Sequence, residues 1–162
     1  MKVKRCLCVA VLLCLIAFHC LAWSQEGQVT KQECVAQVVK VVDRIKADGF
    51  EAVAPAIRPG GPFSWKDDGY VFCLDAEAGI MLAHPYLPPQ MMNRPLMGWM
   101  DSNGKPFIRE MVELAHKNGK GWVSYMTRFR GSDEVRLKET YIEKVPGKNV
   151  IVGAGYFPPK KE

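Results

Sequence analysis

The chain is 162 residues long, enough for one domain with one core, and carries 22 Lys+Arg against 17 Asp+Glu for a net charge of +5. Removing Lys2, Lys4 and Arg5 from the start takes three of those 22 basic residues and none of the 17 acids, which leaves +2. Such a balance, with Lys and Arg scattered, argues against the clustered basic surface that nucleic-acid binding requires.

Met1 to Arg5 is a basic head, Cys6 to Ala22 is almost unbroken apolar sequence, and Trp23-Ser24-Gln25-Glu26 turns polar. This is the pattern of a secretory signal peptide. Ala22-Trp23-Ser24 offers small residues at both required positions and predicts cleavage after Ser24; Cys20-Leu21-Ala22 is the second choice. The expected organisation is a signal peptide over 1–24 and a single domain over 25–162, periplasmic or secreted. Retention of the leader as an anchor is the alternative, since its apolar run of about 17 residues is at the lower limit for crossing a bilayer. Cys6, Cys8, Cys14 and Cys20 leave with the leader. Cys34 and Cys73 remain, too few for a zinc ribbon or a disulfide scaffold, and the expectation is two buried, free thiols.

Thr30-Lys31-Gln32-Glu33 is a capping box, with Val29 and Cys34 at the positions of a hydrophobic staple. Cys34, Val38, Val41, Val42 and Ile45 recur at helical spacing, with Val35 and Val39 widening the stripe. Asp48-Gly49-Phe50 supplies a stop. The spacing predicts a helix over 31–48. Pro55, Pro59 and Pro62 break regular structure, and the period then becomes two. Tyr70 to Leu74 reads as a buried strand, Asp75 to Gly79 as a turn, and Ile80 to Ala83 as the returning strand of a hairpin. A proline-rich loop from His84 to about Met100 carries Met91, Met92, Leu96, Met97, Trp99 and Met100, and so many apolar side chains predict that it is packed. Pro106 suits a helical first turn; Phe107, Met111, Leu114 and Ala115 form a stripe that ends at Asn118-Gly119. Three strands close the chain, at Gly121 to Arg130, Val135 to Val145 and Asn149 to Phe157. The expected fold is α+β: a five-stranded antiparallel sheet with a long N-terminal helix on one face and the loop with the second helix on the other.

The sequence holds no Gly-rich phosphate loop with Lys-Ser or Lys-Thr, no His-Glu-x-x-His and no Gly-x-Ser-x-Gly, and Gly153-Ala154-Gly155 lacks the third glycine of a dinucleotide fingerprint. Asp67-Asp68 reads as a solvated turn, His116 as a solvated helix residue, and Cys73 as a buried thiol rather than a nucleophile for His84. No catalytic residue, metal or cofactor is expected. What remains is a binding set: His84 at the mouth of the loop, Trp99 on it, Tyr125 and Thr127 on one strand face, and Lys138 on the next strand. Lys138 shares a face with Thr140 and Ile142, and across a hairpin that face coincides with Tyr125. A Lys with a His or Tyr suits a carboxylate ligand.

Six motifs in order then carry a resemblance: Asp68-Gly69-Tyr70-Val71-Phe72-Cys73-Leu74-Asp75; Gly79 with Leu82-Ala83-His84-Pro85; Asp101-Ser102-Asn103-Gly104-Lys105-Pro106-Phe107; Gly121-Trp122-Val123-Ser124-Tyr125; Lys138 with Tyr141; and Val150-Ile151-Val152-Gly153-Ala154-Gly155-Tyr156. From about Val35 to Tyr156 the chain resembles the single Cache domain family, type-2 group. The resemblance implies a PAS-like fold and an extracytoplasmic sensor of small molecules, often short carboxylates. By position it assigns ligand contacts to His84, Tyr125, Lys138 and Tyr141. Lys148 and Asn149 depart from the aromatic residues often found there in the family. No second membrane-length apolar run and no output domain occur in the sequence, so a membrane-bound signalling or transport partner is expected to take up the signal. An accessory envelope protein with a filled pocket is the alternative; a cryptic hydrolase is the third reading.

Overall fold

The computed structural model describes residues 27–159. The leader, and the cleavage expected at Ser24, lie outside the described residues. Thr30 caps helix α1, Lys31–Asp48, as the sequence predicts: its side chain accepts from the Glu33 amide, and the Glu33 carboxylate accepts from the Thr30 amide at 2.9 Å. Val29 and Cys34 close the staple and are both buried. The buried stripe is Cys34, Val38, Val41, Val42 and Ile45; Val39, expected to widen it, is 40% exposed. Gly49 takes φ 86°, a conformation open to glycine, but with ψ 157°. The chain then makes a short helix α2, Phe50–Val53, and a 3-10 turn, Ala54–Ala56, before reaching the sheet.

The sheet contains β1 (Ser64–Trp65), β2 (Gly69–Asp75), β3 (Met81–Ala83), β4 (Lys120–Arg128), β5 (Val135–Lys144) and β6 (Val150–Tyr156). Its order is β1-β2-β6-β5-β4, all antiparallel, and β3 also pairs with β2. β1 pairs with Gly69 and Tyr70, and β3 with Cys73 and Leu74, so the two share one edge of β2. The five expected strands are present; the two-residue β1 is the addition, too short to leave a period in the sequence. Val71, Cys73, Tyr141, Val152 and Ala154 pack beneath α1. Phe72, Leu74, Val123, Tyr125, Ile142 and Ile151 form the opposite face, under helix α3 (Phe107–Asn118). Cys34 and Cys73 are both buried and free.

The loop between β3 and α3 spans this second face. At one end it lies along β3, through the Ile80–Pro95 bridge and the Asn93 and Leu96 amides, which donate to Met81 and Gly79 carbonyls. At the other, the Asp101 carboxylate accepts from the amides of Asn103, Lys105 and Met126, and Lys105 Nζ donates to the Ser124 carbonyl at 2.7 Å. These bonds hold the loop against the free edge of β4. Leu96 is buried and Met91, Met92 and Met97 pack on the core, as expected of a packed loop. Trp99 and Met100 are not: they are 38% and 59% exposed. His116 is exposed but not merely solvated, since its Nε2 lies 2.7 Å from the Ala76 carbonyl oxygen and ties α3 to the turn after β2. Among the described residues no helix is long and apolar enough to cross a membrane.

Candidate functional site

A cavity of about 240 Å3 opens between this face of the sheet, the loop and the N-terminal end of α3. His84, Trp99, Tyr125, Thr127 and Lys138 all line it. Five of the six sequence-predicted site residues therefore meet in one place. Tyr141 does not. It lies beneath α1 on the opposite face and donates to Glu143 at 3.1 Å. Strand alternation gives the reason: Tyr141 is three positions along from Lys138, an odd offset, so one side chain faces the cavity and the other the helix.

Lys138 is the unusual member. It is 2% exposed and directly opposite Tyr125 in the β4–β5 register. Its stem crosses Gly155, whose missing side chain leaves the room: a Cβ there would stand 2.7 Å from Lys138 Cε. The ammonium donates to the Tyr70 hydroxyl at 2.9 Å and lies 4.2 Å from the Tyr70 ring centre and 5.2 Å from that of Phe157. Burial works against its charge, while the hydrogen bond to the Tyr70 hydroxyl and the Asp68 carboxylate work for it. Lys138 has no ion-pair partner among the described residues. Two acids of the sheet, Glu139 on β5 and Asp75 on β2, are engaged elsewhere. Glu139 points to the other face, where Lys31 and the Tyr156 hydroxyl hold it at 2.8 Å each. Asp75 accepts from the Glu77 and Ala78 amides and from Asn149.

His84 follows β3 and packs against Tyr70, with ring centres 4.9 Å apart, and against Phe72 at 6.0 Å. Its Nδ1 accepts from the Tyr86 and Leu87 amides at 3.0 and 2.9 Å. That fixes the neutral tautomer with the proton on Nε2, a donor. Burial, reinforced by the Lys138 charge, pulls its pKa down to about 3. Tyr125 is 8% exposed, accepts from Thr140 Oγ1 at 3.2 Å and stacks on Phe107 at 4.2 Å. Burial raises its pKa, so its hydroxyl keeps its proton. Trp99 forms the rim, 6.1 Å from Phe107. The cavity thus presents one ammonium and several neutral donors over an apolar floor that includes Met81, Ile108 and Met111.

Tyr70, Tyr86, Phe107 and Asp68 also line the cavity and are not in the predicted set. The signal for Tyr70 was present: it alternates with Phe72 and Leu74 on the same face. Cys73 lies in the core beneath α1 while His84 packs on the other side of the sheet, which separates the nucleophile–base pair a hydrolase would need. Among the described residues no cluster of three or more metal-ligating side chains occurs.

The sequence model of the family described as Single Cache domain 2 matches residues 19–158. The chain belongs to that family. Solved structures share this Cache fold. One is described as the periplasmic sensor domain of a chemotaxis protein, with TM-score 0.63, 23% identity, and coverage of 76% of this chain and 87% of that one. A methyl-accepting chemotaxis protein from Vibrio parahaemolyticus gives TM-score 0.66 at 21% identity, covering 78% and 87%. A third, from work on carboxylic acid recognition by a Cache chemosensory domain, gives 0.62 at 20%, covering 75% and 84%. At these identities the likeness is one of fold.

Proposed function

We propose that this Cache domain is an exported, sensor-type module that binds a small carboxylate in the cavity over Lys138 and acts through a membrane-bound partner. The observation that carries the reading is Lys138 itself: a buried ammonium, aimed at open volume, with no acid paired to it among the described residues. A buried charge is costly unless something of opposite sign meets it. A ligand carboxylate would take the Lys138 ammonium, the His84 Nε2 proton and the Tyr125 hydroxyl, while Thr127 and Trp99 border the opening. The description of one fold relative as recognising carboxylic acids supports the chemical class. The cavity of about 240 Å3 speaks against a vestigial pocket filled by its own side chains.

A thermal-shift screen of short carboxylates, amines and purines tests the reading. A ligand at 100 times its Kd stabilises the fold by about 2.7 kcal/mol, several degrees in Tm. Stabilisation by carboxylates alone is the expected result. Stabilisation by amines or purines with no response to carboxylates contradicts it.

A further inference from the structure

Two of the charged groups that line the cavity are withdrawn from solvent and lack a counter-ion among the described residues, and they are of opposite sign. Lys138 is one. The other is Asp68, half-buried in the turn that leads into β2, where it lines the cavity with Tyr70. Its carboxylate accepts no hydrogen bond and joins no ion pair among the described residues. It is near enough to favour the Lys138 charge but not near enough to pair with it. The two other charges that line the cavity are exposed: Arg128 faces Asp133 at 3.6 Å, and Arg130 lies 4.5 Å from the Tyr86 ring centre.

We infer that the ligand of this cavity is zwitterionic, an α-amino acid with a small aliphatic side chain, its carboxylate on Lys138 and His84 and its ammonium on Asp68. The inference rests on the carboxylate reading above and narrows it. In an α-amino acid the two charges sit one carbon apart, so one small molecule meets two side chains that do not reach each other. A simple carboxylate would satisfy Lys138 and leave Asp68 facing a second negative charge in a partly dry cavity, which is unfavourable. The ammonium removes that repulsion and adds charge-assisted hydrogen bonds. Met81, Ile108 and Met111 give an aliphatic side chain its apolar contact.

The test is calorimetric titration of the purified protein with matched pairs: glycine and acetate, L-alanine and propionate, L-valine and isovalerate. The amino acid of at least one pair is expected to bind at least about tenfold tighter than its partner acid. Asp68→Asn is expected to bring that amino acid to the affinity of the acid while leaving the acid as tight or tighter, with the fold intact by circular dichroism. Glycine betaine, which has no N–H to donate, is expected to bind at least about tenfold more weakly than glycine. Acids that bind as well as or better than their amino acids, unchanged by Asp68→Asn, overturn the zwitterion and leave the carboxylate site standing. No binding by any member of either series overturns both.

Discussion

Gly155→Ala is expected to destabilise the domain and to do so through Lys138. Gly155 sits on β6 opposite Thr140 of β5. A Cβ at this position would stand 2.7 Å from Lys138 Cε, 2.9 Å from the Glu139 carbonyl oxygen, and closer still to Thr140 Oγ1. The two side chains can yield in part, but the Glu139 carbonyl belongs to the neighbouring strand and is held by the ladder. Overpacking of this kind costs about 1–3 kcal/mol. For a domain of this size that is a fall in Tm of roughly 3–12 °C. Thermal denaturation of Gly155→Ala, Lys138→Ala and the double variant measures it. Lys138→Ala removes the Cε atom in the way, so the double variant is expected to recover at least about 0.5 kcal/mol relative to the sum of the singles. A Gly155→Ala protein within about 0.5 kcal/mol of the parent, or strictly additive singles, would refute the packing of Lys138 across this glycine.

Other outcomes follow from the same geometry. Below about pH 6.5 the unfolded chain takes up a proton on His84 that the folded protein, with its pKa near 3, does not. Stability is therefore expected to fall as pH drops from about 6.5 toward 3, by up to about 1.4 kcal/mol per pH unit from this group, and to be unaffected by it above that range. His84→Asn, which keeps an acceptor for the Tyr86 and Leu87 amides, is expected to flatten this limb in urea titrations at pH 4 to 7; an unchanged slope would assign it to other groups. Tyr141→Phe is expected to leave ligand affinity unchanged by calorimetry, because its hydroxyl meets Glu143 on the far face of the sheet; a tenfold loss would put it back in the site. Burial raises the Cys34 thiol to about 12 and pushes the Cys73 thiol up as well, so neither is expected to react rapidly with a thiol reagent in the native protein and both are expected to react after unfolding without reductant; no labelling after unfolding would reveal a bridge.

Much of the fold was legible because local signals agreed with tertiary demand. The Thr30–Glu33 box, the Val29–Cys34 staple and the valine stripe define α1 to the residue. Alternation allows Lys138 and Tyr125 to share one face, and the β4–β5 register then sets them directly opposite each other. The same rule sets Tyr141 apart from Lys138, and its inclusion in the site came from the family motif, which records spacing but not facing. Asp68 read as a solvated turn because its sequence neighbourhood is polar; its place at the cavity depends on β6 and β5 bringing Phe157 and Lys138 alongside. The double role of His84 was equally hidden. Its Nδ1 partners are amides of the coil at 86 and 87, whose path depends on the loop being held at both ends. Trp99 and Met100 were expected inside on hydrophobicity alone, but hydrophobic side chains at the rim of an opening need not be covered.

Lys138→Met, measured with and without the carboxylate that most stabilises the parent protein, tests the central claim most directly. With a ligand as the true counter-ion, the variant is expected to be as stable as the parent or more so in its absence, because a buried unpaired charge has been removed, and to show no ligand-induced shift. A ligand-free variant that loses about 3–5 kcal/mol, or one that still binds the carboxylate, would mean that Lys138 answers to an internal partner and that the cavity is not an anion site.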